Sequence, residues 1–217
     1  MDHFHFFKAL GSSSEPPKHL INNQLYFNYL LNGAYDNLNR VYFPSSGQYF
    51  SFQYSLDIDN FVRLNDQNPT NIVDMKFLKP ISWSNKVFVT PRIYARYIIN
   101  DSVPLVYRNL AGGKIDNHYI PQQISIHGSK GMELLENMLL TMDLTIHYNF
   151  TTNNYIYSKF NFLVHDQHFY SLFEGDSYWG INLGYSYLTV AGPLRLELGY
   201  SELSNRFHPY VSYGYYF

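Results

Sequence analysis

Two histidine groups are the first places to look for chemistry. His3 and His5 would share one face of a strand, and His165-Asp166-Gln167-His168 sets three potential metal ligands within one short segment. A zinc site needs about four such ligands, each oriented by a further hydrogen-bond partner, and neither group has candidates that complete the set. Both read better as lumen or loop histidines. Glu133 and Glu136 form a carboxylate pair with no companion acid or base, which reads as a solvated loop. A serine nucleophile elbow requires G-x-S-x-G on a strained turn. Gly184-Tyr185-Ser186-Tyr187-Leu188 and Gly199-Tyr200-Ser201-Glu202-Leu203 both lack the final glycine and fall inside strand-like patterns. The sequence therefore assigns no catalytic, cofactor or metal site. What remains is a set of charges, Lys76, Arg92, Arg96, Asp143, Arg195 and Glu197, all on the polar side of alternating segments, where they must pair or be wetted.

The segments that carry those charges alternate with period two. In the C-terminal stretch Tyr178 to Phe217, Trp179, Ile181, Leu183, Tyr185 and Tyr187 alternate with Gly180, Asn182, Gly184 and Ser186. Leu194, Leu196, Leu198 and Tyr200 alternate with Arg195, Glu197 and Gly199, and Val211, Tyr213, Tyr215 and Phe217 alternate with Ser212 and Gly214. Such alternation gives each strand one apolar and one polar face. The pattern recurs upstream at 25–32, 49–56, 73–78, 87–99, 140–150 and 155–164, and His3–Leu10 could supply the end of a further strand. Pro91 interrupts one ladder and predicts a bulge or an edge irregularity there. Connections alternate between tight (80–85, 151–154, 189–193) and long (57–71, 100–138, 166–177), with Asp36–Gly47 as a further connector. Membrane barrels alternate short turns at one end with long loops at the other, and place apolar faces in lipid and polar faces in a lumen.

Composition fits that reading. The chain carries 22 Tyr and 17 Phe among 217 residues, yet only 15% of residues are charged, and mean hydropathy is −0.27. Lumen-facing polar residues offset lipid-facing apolar ones, which produces such a balance. A net charge of −2 gives no electrostatic case for nucleic acid. With no Cys there are no disulfides or thiolate metal sites. No apolar run reaches the roughly 18 residues of a membrane-spanning helix. The start, Met1 to Lys8, does not read as a signal peptide, so an exported protein with this sequence is expected to be a mature segment or a piece of a longer chain. The fold class expected is all-β, with about nine or ten antiparallel transmembrane β-barrel strands. Phe52, Tyr54, Leu144, Ile146, Leu183 and Leu196 are expected to face lipid, and Gln53, Thr145, Asn182 and Glu197 the lumen.

Four pieces then occur in a telling order. Asp36-Asn37-Leu38 is followed by Phe43-Pro44-Ser45-Ser46-Gly47 in a turn, and Gly112-Gly113 sits in the long loop. The closing pieces are Ala191-Gly192-Pro193-Leu194-Arg195-Leu196-Glu197-Leu198-Gly199 and Gly214-Tyr215-Tyr216-Phe217. Together they resemble the outer-membrane surface-antigen β-barrel superfamily of insertases and two-partner-secretion transporters. Within it the chain looks most like the barrel of Bacteroidetes patatin-like outer-membrane proteins, through Tyr119-Ile120-Pro121-Gln122-Gln123-Ile124. The resemblance covers about residues 25 to 217 and implies a barrel of about sixteen strands, of which residues 1–217 would be the C-terminal portion. The other half would come from upstream sequence or another chain. It also implies that the loop of about 100–138 folds into the lumen, with Gly112, Gly113, Tyr119, Gln122 and Gln123 near the inner wall. The Arg-Gly pair that insertases and transporters carry after the Gly-Gly is missing here. The expected role is membrane anchor and conduit, with any hydrolase domain upstream; the alternative is an insertase or secretion pore. A barrel enzyme would need a triad or paired acids at the strand ends, and none is legible. Expected partners are outer-membrane lipid and the outer-membrane assembly machinery, which would read Tyr213, Tyr215 and Phe217 as an assembly signal; the expected location is the bacterial outer membrane.

Overall fold

Tyr, Phe, Ile, Leu and Val at every second position favour a pleated surface, and the chain forms strands wherever that period persists. The structure, a computed structural model, describes residues 2–3, 25–58, 69–100, 107–113, 122–129, 132–135 and 137–214. In chain order the strands are β1 (Asp2–His3), β2 (Leu25–Asp36), β3 (Tyr49–Ile58), β4 (Thr70–Leu78), β5 (Ile81–Ser82), β6 (Val87–Ile99) and β7 (Leu110–Gly112). They continue as β8 (Gln123–Ile124), β9 (Met132–Leu134), β10 (Met138–Thr151), β11 (Asn154–Asp166), β12 (Asp176–Thr189), β13 (Gly192–Ser201) and β14 (Arg206–Tyr213). One sheet runs β1-β2-β3-β4-β6-β10-β11-β12-β13-β14, with β5 paired to β6 off that path. Its long neighbours are antiparallel throughout. Among the described residues β1 and β14 do not pair with each other, so the sheet is open. Of the possible strand His3–Leu10, only His3 is described, paired with Leu25.

The register places residues on the predicted faces. Leu144 lies opposite Phe160, and Phe160 opposite Ile181, so apolar side chains line up across neighbouring strands on one side. That side is exposed: Leu183 is 61% accessible, Leu196 47% and Ile146 43%. A contiguous apolar face of this size is foreign to a water-soluble monomer and is what lipid covers in a barrel. The opposite face is polar and, away from β2, largely packed. Ser55, Thr90, Arg96, Thr141, Asp143, Asn161, Asn182 and Ser186 are all buried on it.

Turn chemistry closes the hairpins. At Val190-Ala191, Thr189 Oγ1 accepts a bond from the Ala191 amide (3.2 Å) and donates to Gly192 O (2.6 Å), while Gly192 takes φ 114°. Connections 79–86, 152–153 and 190–191 lie at one end of the sheet together with 37–48. Connections 59–69, 100–137, 167–175 and the short 202–205 lie at the other. At Pro91 the expected irregularity is a break in pairing on one side only, without a bulge. Its ladder to β10 runs in continuous register through Pro91↔Leu144. On the other side Pro91 falls where β4 has ended and β5 has not begun, and its carbonyl still accepts the Lys79 amide at 3.2 Å. A proline at that gap loses no ladder bond, so no bulge is needed.

The depth of Leu183 in lipid has a direct test. In the complete barrel refolded in lipid, Leu183→Arg should cost about 2–4 kcal/mol, and Phe207→Arg, at a strand end, about 1 kcal/mol or less. Urea unfolding monitored by tryptophan fluorescence would measure both; equal costs would reverse the depth assignment.

Candidate functional site on the polar face

The long connection, expected to be a loop, contains a three-stranded sheet in the order β8-β7-β9. Here β7 pairs parallel with β8 and antiparallel with β9. The segments 110–112, 123–124 and 132–134 are too short to carry a period that announces strands, and the pairing is set by what the insert packs on. Ala111, Ile124, Ile126 and Leu135 form a buried cluster with Leu139 and Leu163 of the main sheet, and Tyr94 and Tyr178 pack against it. These wall residues belong to the polar face, so the insert covers that face.

Hydrogen bonds from wall side chains fix the insert to the wall. Asn161 Nδ2 donates to Ser125 O (3.0 Å), and its Oδ1 accepts the His127 amide (3.2 Å). Arg96 donates to Tyr107 O (2.9 Å) and Asn109 Oδ1 (2.6 Å). Glycines on the wall admit the closest approach. A Cβ on Gly180 would lie 2.1 Å from His127 O, and one on Gly199 would lie 2.6 Å from Gly128 Cα. Gly128 itself has φ 81° and abuts the Tyr200 backbone. Gly180 and Gly199 therefore leave room for another backbone, while the space over Gly184 is taken by the Tyr157 ring.

Beneath the insert the charges pair. Arg92 Nε lies 2.9 Å from Asp143 Oδ2, and His127 Nε2 lies 3.8 Å from Asp143 Oδ1. Arg96 reaches Asp74 at 3.3 Å, and Tyr94 donates its hydroxyl hydrogen to the same carboxylate. Lys159 lies 3.6 Å from Glu197, whose Oε1 also accepts from the Tyr157 hydroxyl at 2.5 Å. Lys76 sits 5.8 Å from the centre of the Tyr49 ring, and Arg195 lies 4.7 Å from that of Tyr42. All six charges singled out in the sequence lie on this face. Asp74, Tyr94, Tyr157, Lys159 and Asn161 were not singled out, although their positions in the alternation were available.

The loop residues fare differently. Gly112 and Gly113 adopt φ 125° and 74°, and Gln123 Nε2 donates to Gly112 O at 2.8 Å. The structure thus brings Gly112, Gly113 and Gln123 together, and Gln122 occupies the adjoining turn. Tyr119 lies outside the described residues, as do Tyr215 and Phe217; Tyr213 lies on the outer face of β14, 61% exposed. Of the histidine groups, His165 is buried against Tyr178 (5.7 Å between rings). Asp166 instead organises its own turn, accepting the His168 amide (3.0 Å) and the Ser171 hydroxyl (2.7 Å). Those contacts make 166–171 a structured turn. His5 and Glu136 lie outside the described residues, and Glu133 belongs to β9.

A second insert occupies the other end of the same face. Within connector 37–48, Phe43 stacks on Tyr155 (4.5 Å, 10°) and meets Tyr157 (5.1 Å) and His147 (5.5 Å, edge-on). Arg40 donates to the Tyr155 hydroxyl at 3.1 Å. From β3 to β13 the sheet order counts six pairings, about 29 Å if flat. One connector rooted at β2 and β3 nonetheless touches β10, β11 and β13, as it does when the sheet curls around its polar face.

Compared with known proteins, the chain matches the family profile described as the OMP85 superfamily over residues 6–217. No curated protein matches it.

The seat of the insert can be tested. Gly180→Val should displace the 122–129 segment, so that limited proteolysis between residues 107 and 135 runs roughly tenfold faster while the barrel stays folded. Asn161→Ala, which strips two backbone groups of their partner, should cost about 1–3 kcal/mol. Unchanged proteolysis in the Gly180 variant would mean that the insert does not depend on that contact.

Proposed function

The chain belongs to the OMP85 superfamily, an outer-membrane β-barrel family, and from that premise we propose that it is the membrane anchor and conduit of a surface-antigen protein of the patatin-like kind. In this reading the exposed apolar face meets lipid. The polar face is the wall of an interior passage, and the 100–138 loop, with Gly112, Gly113, Tyr119, Gln122 and Gln123, lies in it as an occluding insert. The observation that carries the proposal is the pairing of an apolar face left open with a polar face covered by its own backbone.

The open sheet supports a further part of the reading. An unpaired strand edge in lipid leaves amide and carbonyl groups at several kcal/mol each. The remaining strands therefore come from another part of the same protein or from a second chain, this chain supplying the C-terminal portion of the barrel. Superfamily members are typically transport or insertion proteins and not enzymes. The insertase reading is placed second because the loop lacks an Arg-Gly pair after Gly112-Gly113. Phe207, Val211 and Tyr213 on the outer side of β14 support a role for this strand, with Tyr215 and Phe217, in recognition by the assembly machinery.

The complete protein should fractionate with the bacterial outer membrane and migrate on gels as a heat-modifiable barrel. Proteoliposomes bearing it should not accelerate insertion of a second, unfolded outer-membrane protein. Acceleration would replace the anchor reading with the insertase one, and recovery in the soluble fraction would sink both. Tyr213→Asp should lower the amount assembled in cells several-fold while changing the unfolding free energy of assembled protein by about 1 kcal/mol or less, as for a polar group near the interface; normal assembly would remove β14 from the recognition role.

A further inference from the structure

The connector 37–48 is longer than its position requires. At the same end of the sheet, β10 joins β11 through residues 152–153 and β12 joins β13 through 190–191. Two residues suffice to reverse an antiparallel pair, so the extra length of 37–48 goes into something other than the reversal.

It goes into a stiff arm. The Asn37 amide donates to Gln48 O (3.1 Å) and the Asn39 amide to Ser46 O (3.2 Å). Asn39 Oδ1 accepts the Ser45 and Ser46 amides (3.0 and 3.2 Å), and Asn37 Oδ1 accepts the Gln48 amide (2.6 Å). Gly47 takes φ 94°, and a Cβ there would lie 2.2 Å from Asn37 O. The two legs of the arm thus bond to each other and are stiff without the wall. It folds inward nonetheless, and its tip reaches side chains of the polar face: Arg40 to Tyr155, Tyr42 to Arg195, Phe43 to Tyr155, Tyr157 and His147.

Phe43 is the residue on which the contact turns. It holds φ 50°, a left-handed conformation that a bulky side chain rarely takes without surroundings that impose it. Those surroundings are rings: Tyr155 on its face, His147 on its edge, and Phe88 stacked behind His147 at 5.1 Å. Neither nitrogen of His147 makes a hydrogen bond among the described residues. Ring packing, the Arg40–Tyr155 hydrogen bond and the Arg195–Tyr42 cation–π contact are among the contacts that hold the arm down, and each is reversible.

We propose that connector 37–48 is a built-in plug for the short-turn mouth of the barrel, latched by Phe43 in the box formed by Tyr155, Tyr157 and His147. This rests on reading the polar interior as a conduit. The 107–135 insert covers the other half of the same wall, through Arg96, Asn161, Gly180 and Gly199. The paired charges between them are enclosed from both mouths, each closed by a different segment of chain.

This chain contains no Cys, so Thr90→Cys, with any cysteine elsewhere in the complete protein replaced by serine, introduces a single thiol at a site that is buried on the polar face near the short-turn end. In the complete, membrane-reconstituted protein, Phe43→Ala should raise the rate at which a water-soluble maleimide labels that thiol by roughly tenfold, with heat-modifiable migration retained. Arg40→Ala with Tyr42→Ala serves the same purpose should Phe43→Ala fail to fold. Rapid labelling before the arm is altered, or labelling unchanged in a folded variant, would overturn the plug. Conductance in planar bilayers separates this from the conduit reading. A variant lacking both residues 107–135 and the Phe43 ring should pass ions. If labelling responds to Phe43 but that variant stays silent, the conduit reading falls and the arm is only a cover over a closed interior.

Discussion

Everything in this fold depends on the requirement that a strand crossing lipid hand all of its backbone hydrogen bonds to its neighbours. Water is not there to accept what is left over, so strands must pair along their whole length and in order. An antiparallel meander achieves this with the shortest connections, and the path from β2 to β14 is such a meander. Once the ladders are committed to neighbours, only the side chains remain to distinguish inside from outside. Period-two alternation then becomes the one degree of freedom the sequence has. A slip of one residue would put Asn182 and Glu197 in lipid and Leu183 and Leu196 in the interior, which is why the register is so strongly specified.

A polar interior made this way cannot be left as a bare row of charges. Arg92 with Asp143, Arg96 with Asp74, and Lys159 with Glu197 pair across strands. A buried charge without a partner would cost far more than any of these pairs contributes. The remaining polar surface is met by backbone. The 107–135 segment brings carbonyls and amides to Asn161 and Arg96, and the wall accommodates it by having no side chain at Gly180 and Gly199. Polar residues on this wall thus serve two purposes. They keep the face out of lipid, and they bind the segments that fill it.

The two inserts differ in how they are held, and the difference suggests different roles. The long one is sewn in by hydrogen bonds to backbone and by an apolar cluster that includes Leu139 and Leu163, contacts that exchange poorly for water. The short one is stiff in itself and rests on aromatic faces. Ring packing contributes without binding any backbone group, so its loss leaves no unsatisfied donor behind. One insert is part of the wall, and the other lies against it.

What the sequence determined by itself was whatever local periodicity encodes. The strands around Leu144, Leu183 and Leu196, the side each residue takes, the tight turns at 152–153 and 190–191, and the presence of charges on the polar face were all legible, because alternation and turn chemistry act within a few residues. The match to the OMP85 superfamily agrees with the barrel superfamily that the ordered motifs suggested. An irregularity at Pro91 was legible, but not that it would spare the β10 ladder and fall in the gap between β4 and β5, since that depends on where the neighbouring strand stops. Nor were the strands β7, β8 and β9, which are too short to carry a period and form only against Leu139 and Leu163. Which partner each charge takes, why glycine stands at 180 and 199, and where Phe43 rests were decided by tertiary structure alone. Arg40 and Tyr155 are 115 residues apart, and a contact across that distance exists only once the sheet has curled to bring its two sides face to face.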